Sequence, residues 1–245
     1  MHVEKSGEGR SVLFLHGGGV SGWMWKPILT ALDGGVRAIV PDLPGHGRSA
    51  DEPYVSHDHA IALLTDLIDQ TVPGGLTVVG FSLGAQLAIR LASTPGLPIE
   101  AAVIVSAETH PAPMPDLTLW LLGVSAPLAR REWFAKAQAK QLGVPDELFA
   151  DYLRDSRGIS RDTLVNSVGE NIRFDLPADW SDFRGAATVM VGERERRLML
   201  ESARHTHDSL PGSELRIVPG AAHDLPLTRP DAVAEAIRTT LGTSR

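Results

Sequence analysis

One serine of this chain stands in a setting typical of a nucleophile. The pentapeptide at residues 80–84, Gly-Phe-Ser-Leu-Gly, directly follows a short apolar run and precedes a segment rich in Ala and Leu. A serine on a sharp turn from strand to helix exposes its hydroxyl, and the glycines remove side chains that would collide with strand and helix. The alternative is a glycine-rich connection whose serine has no function. We predict that Ser82 is a nucleophile at the carboxyl edge of a sheet.

A general base for this serine must reach it from another loop at the same edge. His223 lies in the hexapeptide 219–224, Pro-Gly-Ala-Ala-His-Asp, after the last predicted strand and before a C-terminal helix. This is where such a loop would emerge, so we predict that His223 is the base. Four other histidines are interpreted as solvated or capping residues near helix starts: His57, His59, His205 and His207. The last two are spaced two apart, which disfavours a metal pair on one helix face.

The third group of such a site is a carboxylate that orients the histidine. In the chain order Ser, acid, His it would follow the predicted strand 187–191, in the pentapeptide 192–196, Gly-Glu-Arg-Glu-Arg. Glu195 is the first choice, because a carboxylate there can fix one imidazole tautomer and stabilise the imidazolium. The alternative is a solvated loop of alternating charge.

A second glycine-rich turn provides candidate donors for an oxyanion. Residues 16–19, His-Gly-Gly-Gly, follow the predicted strand 11–15. Such glycines let the backbone approach a bound carbonyl, and we assign the N–H groups of Gly18 and Leu83 to the oxyanion hole. His16 is interpreted as an orienting, hydrogen-bonded core histidine. A plain loop or a phosphate cradle is the alternative, but the P-loop lysine and the full dinucleotide pattern are both missing. No cofactor is therefore expected.

The elements that must position these residues alternate along the chain. Short apolar runs bounded by Gly, Pro or Asp predict buried strands at 11–15, 36–40, 76–79, 101–105, 187–191 and 214–218. Segments of helical period lie between them, at 59–70, 83–93 and 231–241. This order predicts an α/β fold with a mostly parallel central sheet and helices on both faces.

One long interval lacks a predicted strand. From residue 110 to 182, aromatic residues and leucines recur on helix-like spacings, after a proline-rich segment at 109–115. We predict a helical cap insertion at 110–182 over a core formed by residues 1–109 and 183–245. Its apolar content favours a small, largely apolar substrate.

Composition excludes several classes of function. The 245 residues are 43% hydrophobic, enough for a substantial core, and the formal charge is −7 with no Lys/Arg block, so nucleic acid is not an expected partner. The chain has no cysteine, which excludes disulfides and thiolate chemistry. Residues 1–10 are polar, and no run reaches the ~18 apolar residues of a membrane span. A soluble, cytoplasmic protein without membrane contact is expected.

Together these motifs resemble the α/β-hydrolase superfamily. The resemblance runs from residue 12 to residue 241 and includes the His-Gly-Gly-Gly turn, the segment 42–49 (Asp-Leu-Pro-Gly-His-Gly-Arg-Ser), the serine turn and the Gly-Ala-Ala-His before the C-terminal helix. It implies an eight-stranded sheet in the complete fold, although there is room for only one strand before Ser11. It also implies that Asp42 and His46 are structural and that Trp25 is a core residue.

Three positions depart from the superfamily's usual pattern. Ala85 and Ala222 replace glycines, and Glu195 replaces an aspartate. Glu108 therefore remains a second candidate acid, because it resembles the acid position of haloalkane dehalogenase-like members. Those enzymes use an aspartate nucleophile, so Ser82 argues against dehalogenase and epoxide-hydrolase chemistry.

The resemblance and the site residues together indicate hydrolysis of an ester, thioester or lactone of a small molecule through an acyl-enzyme. Neither a metal nor an organic cofactor is needed for that reaction. Two other functions stay open at this point. One is carbon–carbon bond hydrolysis or a lyase reaction at the same site, and the other is ligand binding by a protein that retains the fold.

Overall fold

A single, mostly parallel sheet forms the centre of the protein. The computed structural model describes residues 1–72, 74–129 and 131–243. Within these ranges the sheet has seven strands: β1 Val3–Ser6, β2 Arg10–Leu15, β3 Val36–Pro41, β4 Leu76–Phe81, β5 Ile99–Val105, β6 Ala186–Gly192 and β7 Glu214–Val218. Their spatial order is β1-β3-β2-β4-β5-β6-β7, and only β1 pairs antiparallel. The predicted fold class is confirmed.

Apolar residues on both faces explain why the central strands are buried. In β2, Val12 and Phe14 belong to one hydrophobic cluster, whereas Leu13 and Leu15 belong to another. Successive side chains of a strand point to opposite faces, so a strand with two apolar faces must be covered on both sides.

Helices supply this cover. Their bounds are α1 Lys26–Leu32, α2 His57–Thr71, α3 Leu83–Ala92, α4 Pro115–Ala129, α5 Glu132–Gln141, α6 Phe149–Gly158, α7 Arg161–Arg173, α8 Arg197–Asp208, α9 Leu225–Thr228 and α10 Pro230–Thr243. Ile28 of α1 and Ile237 of α10 pack on one face, whereas Leu64 of α2 and Leu87 of α3 pack on the other. The three predicted helices correspond to α2, α3 and α10. Among the described residues, no helix is long and apolar enough to cross a membrane.

The chain between β5 and β6 folds into α4 to α7 and two 3₁₀ turns, with no strand among its described residues. Trp180, within one of these turns, is fully buried against the sheet core. At the other end of the chain, one strand precedes β2, so the described sheet has seven strands instead of the eight that the resemblance implies.

Candidate active site

Ser82 lies between the last residue of β4 and the first residue of α3. Its backbone is strained, with φ 52° and ψ −115°, a conformation that residues other than glycine rarely adopt. The strain turns the chain sharply from strand into helix. Ser82 Oγ lies 3.2 Å from Nε2 of His223, and Nδ1 of His223 lies 2.8 Å from Oε2 of Glu195. The structure thus brings together the three side chains predicted for the site.

The glycines on either side of Ser82 are required by close backbone contacts. A Cβ atom added to Gly80 would lie 2.2 Å from the carbonyl oxygen of Gly84. One added to Gly84 would lie 2.1 Å from the carbonyl oxygen of Leu15, at the end of β2. Both distances are far below van der Waals contact, so the sharp turn and the close packing of α3 on the sheet depend on these two glycines.

Glu195 is held in position by three donors. Its side chain is only 1% exposed. One carboxylate oxygen bonds to His223, while the other accepts hydrogen bonds from Ser106 Oγ and the Gly192 amide. Burial acts to raise the pKa of Glu195, but the hydrogen bonds from His223, Ser106 and Gly192 outweigh it, and the pKa is lowered overall. The solvated-loop alternative for this residue is therefore wrong.

Glu108, the second candidate acid, is also buried but contacts a different group. Its Oε2 accepts a hydrogen bond from Arg196 at 3.3 Å, and its Oε1 has no hydrogen-bond partner among the described residues. Burial raises the pKa of this carboxyl, although Arg196 and then His223 act to lower it. Both ring nitrogens of His223 are occupied by Ser82 and Glu195, so the geometry favours Glu195 as the orienting acid.

The turn at residues 16–19 lies against Ser82. A Cβ atom on Gly17 would lie 2.9 Å from the ring of Phe81 and 3.6 Å from Cβ of Ser82. Gly18 and Leu83, the two residues assigned to the oxyanion hole, border the same cavity as Ser82. Their location fits donors for a carbonyl oxygen bound above Ser82.

His16 fixes this turn rather than acting as a base. Its Nδ1 donates to the carbonyl of Gly17 at 2.8 Å, and its Nε2 accepts from the amide of Leu43 at 2.8 Å. The ring is fully buried, and burial lowers its pKa. The predicted role of His16 as a hydrogen-bonded core histidine is confirmed.

Within the described residues, Ser82 borders a larger and a smaller cavity. The larger has a volume of about 430 Å³, and the smaller has a volume of about 60 Å³. Each of the helices α4 to α7 contributes side chains to the wall of the larger cavity, among them Leu122, Phe134, Tyr152 and Leu164. The smaller cavity is bordered instead by His223 and the residues next to it, including Asp224 and Leu227.

A buried polar network beside the site was not predicted. His57 is 2% exposed, so its interpretation as a solvated or capping residue is wrong. Its Nε2 lies 3.0 Å from Oε1 of Gln86, and its Nδ1 lies 2.9 Å from the hydroxyl of Tyr54. Gln86 in turn donates to the carbonyls of Glu108 and Asn171, and so joins α3 to α7. His205 and His207 lie in the last turn of α8, not near a helix start.

Ser106 was also missed. It directly follows β5 and donates its hydroxyl to Glu195. Like Ser82, it has a positive φ, of 55°. The signal was its place in the sequence, because a polar residue after a buried parallel strand lies at the same sheet edge as the other site residues.

The sheet is mostly parallel, and a serine lies at a strained turn from strand to helix. A histidine and a carboxylate lie on later loops at the same edge of the sheet. Together these features define the α/β-hydrolase class. Residues 12–236 match the family model described as the alpha/beta hydrolase family. The chain belongs to this family.

Individual relatives agree with this assignment. Protein PHYLLO, chloroplastic, of Arabidopsis thaliana is 40% identical over 113 residues, but the match covers 42% of this chain and only 7% of that protein. Esterase Rv0045c of Mycobacterium tuberculosis is 26% identical over 97% of this chain and 84% of its own length. Among solved structures, a bromoperoxidase from Bacillus anthracis is similar in fold, with a TM-score of 0.86 at 23% identity over 98% of this chain and 94% of that one.

Proposed function

We propose that this protein is a serine hydrolase that cleaves an ester, thioester or lactone bond of a small organic molecule. The observation that carries the proposal is the continuous hydrogen-bonded series from Glu195 through His223 to Ser82, with distances of 2.8 and 3.2 Å. The family match and the full-length similarity to an esterase support ester hydrolysis. The helices between β5 and β6 serve in this proposal as a cap over the site.

In the proposed reaction, Ser82 Oγ attacks the carbonyl carbon while His223 Nε2 takes the hydroxyl proton. Glu195 stabilises the imidazolium that forms, and the amides of Gly18 and Leu83 stabilise the oxyanion. His223 then gives its proton to the departing oxygen or sulfur, which leaves Ser82 acylated. A water molecule, deprotonated by His223, attacks the acyl group, and the carboxylic acid product departs as Ser82 regains its proton.

A fluorophosphonate probe tests the nucleophile directly. The native protein should bind one probe molecule covalently at Ser82, detected by mass spectrometry of the labelled peptide, and should hydrolyse ethyl esters such as ethyl hexanoate. Ser82→Ala should do neither, because the nucleophile is lost, and activity should fall by several decades. A circular dichroism spectrum equal to that of the native protein controls for folding.

The same experiment addresses the ligand-binding alternative. A protein that only binds a ligand in this fold would not react with the probe and would release no product from any ester. Labelling at a residue other than Ser82, or Ser82→Ala activity above a tenth of the native rate, would contradict the proposed nucleophile.

A further inference from the structure

The two cavities at Ser82 meet at the reacting group but lie on different sides of it. Ser82, Gly18 and Leu142 border both of them. His223 borders only the smaller one, and Leu83, an oxyanion donor in the proposed function, borders only the larger one. A bound ester must therefore extend from Ser82 in two directions, with different groups in the two cavities.

The position of His223 decides which part of an ester occupies which cavity. In the proposed reaction His223 gives the proton that it took from Ser82 to the departing alcohol oxygen, so this oxygen must lie within hydrogen-bond reach of Nε2. The alcohol part then lies on the side of His223, in the smaller cavity. The acyl part is left with the larger cavity, under α4 to α7.

The sizes of the cavities restrict the two parts very differently. A water molecule needs at least ~10–15 Å³ of such space, so the volume of about 60 Å³ admits a group of only a few heavy atoms. Side chains of Met24, Phe81 and Leu227 border this cavity. The acyl side offers about 430 Å³, which lies within the ~300–1,000 Å³ of small-molecule sites.

The charge of the walls restricts the acyl part further. No Asp, Glu, Lys, Arg or His is among the described residues that border the larger cavity. Its polar groups are neutral amides and hydroxyls, such as Gln138 and Tyr152, which are hydrogen-bonded to each other at 3.3 Å. Burial raises the pKa of Tyr152 to about 12, so its hydroxyl stays neutral. A carboxylate on the acyl chain would lose its hydration in this cavity, and no cationic side chain among the described wall residues would compensate for that loss.

We infer that the substrate is an ester that joins a large uncharged acyl group, held under α4 to α7, to a small alcohol of methyl or ethyl size, held beside His223. This inference rests on the proposed function and specifies the substrate class of the same site.

Two isomeric esters test the assignment of the cavities. Ethyl hexanoate and hexyl acetate have the same atoms, but the long chain is on the acyl side in the first and on the alcohol side in the second. We expect kcat/KM to be at least about tenfold higher for ethyl hexanoate, since misplaced methylenes in a hydrophobic pocket have effects of this size. Equal values, or a preference for hexyl acetate, would overturn the assignment.

Matched variants locate the effect. Leu227 and Leu164 are half-buried leucines that border the smaller and the larger cavity respectively. Leu227→Ala should raise the ratio of hexyl acetate to ethyl hexanoate turnover severalfold, because it enlarges the alcohol side. Leu164→Ala makes the same chemical change on the acyl side and should not raise this ratio. A ratio that rises only in Leu164→Ala would reverse the assignment.

Monoethyl adipate tests the charge restriction, because it carries a carboxylate at the end of an acyl chain similar in length to hexanoate. We expect its kcat/KM to be at least about tenfold below that of ethyl hexanoate. Equal turnover of the two would contradict an uncharged acyl site. Each of these contradicting outcomes differs from failure of the proposed function. In that case neither ethyl hexanoate nor hexyl acetate is hydrolysed, and the fluorophosphonate probe leaves Ser82 unlabelled.

Discussion

At the scale of single residues, the two buried carboxylates beside His223 differ in what their oxygens contact. Glu195 bonds to the imidazole and to two further donors, whereas Glu108 bonds to the side chain of Arg196 and has one oxygen that finds no partner in the described part of the chain. Only the first arrangement fixes the tautomer that leaves Nε2 of His223 free to accept the proton from Ser82. The usual aspartate is replaced here by a longer side chain that still reaches the ring.

This difference predicts distinct effects of two matched substitutions. Glu195→Gln should lower kcat by up to ~10⁴ with little change in KM, because the bond that orients the imidazole is altered. Glu108→Gln should leave kcat nearly unchanged, since the amide keeps the volume and removes a carboxyl whose ionisation burial opposes. Steady-state kinetics of both variants on one ester provides the measurement. A large fall in Glu108→Gln alone would mean that Glu108 is the acid.

At the scale of elements, the turn from β4 into α3 depends on packing that leaves no room for a side chain. Gly84→Ala would place a methyl group 2.1 Å from the carbonyl oxygen of Leu15, where neither backbone can yield easily. We expect a loss of about 1–3 kcal/mol in the free energy of unfolding, and a fall in activity as Ser82 shifts. Urea unfolding followed by circular dichroism measures the loss.

Gly158, in the last turn of α6, is the matched control. Apart from its chain neighbours and the backbone of its own helix, a Cβ atom there would meet no atom of the described residues within 4 Å. Gly158→Ala should leave stability unchanged or raise it by up to about 1 kcal/mol, because alanine favours the helix. A Gly84→Ala protein as stable as the Gly158→Ala protein would show that the contact with Leu15 does not require a glycine at position 84.

Helix α7 is tied to α3, the helix that follows Ser82, by side chains that are distant in sequence. Gln86, one turn after Ser82, donates to the carbonyl of Asn171 in α7, and the amide of Asn171 donates back to Gln86 at 3.2 Å. Asn171 also borders the larger cavity. A shift of α7 would therefore break partly buried hydrogen bonds at a cost in free energy. These bonds hold this wall of the cavity in a fixed position relative to Ser82.

At the scale of the whole molecule, local sequence patterns predicted the sheet and the main residues of the candidate site, because both depend on short segments of the chain. The strands from β2 to β7 are apolar runs, and Ser82, His223 and Glu195 follow strands whose carboxyl ends share one edge. The contacts of His57 and Ser106 could not be predicted in this way. His57 contacts Gln86, and Ser106 contacts Glu195. Each pair is distant in the sequence, and only the packing of α2, α3 and the loops brings the two residues together.

Buried neutral histidines make the stability of the whole fold dependent on pH. Burial lowers the pKa of His46 to about 4 from 6.5, with a further lowering by His16. Between these values the unfolded chain binds a proton that the folded chain does not, so stability is full above pH 6.5 and falls toward pH 4. We expect His46 alone to contribute a loss of about 1.4 kcal/mol per pH unit in this window.

Urea unfolding of the native protein and of His46→Gln at pH 7, 6 and 5 isolates this contribution. The difference in unfolding free energy between the two proteins should shrink as the pH falls, because glutamine does not titrate. Buried carboxylates such as Glu195 titrate in both proteins and cancel in the difference. Two parallel curves would show that His46 titrates in the folded chain as it does in the unfolded chain.

The small cavity beside His223 also governs which molecule ends the catalytic cycle. Once the first alcohol has left, the space holds water, but methanol or ethanol fits it equally well and can accept the acyl group in place of water. We therefore expect transesterification: in dilute methanol, ethyl hexanoate should yield methyl hexanoate together with hexanoic acid, whereas 1-hexanol at equal concentration should yield no hexyl ester. Gas chromatography measures the ratio of methyl hexanoate to hexanoic acid. This ratio does not depend on the rate at which the acyl-enzyme forms.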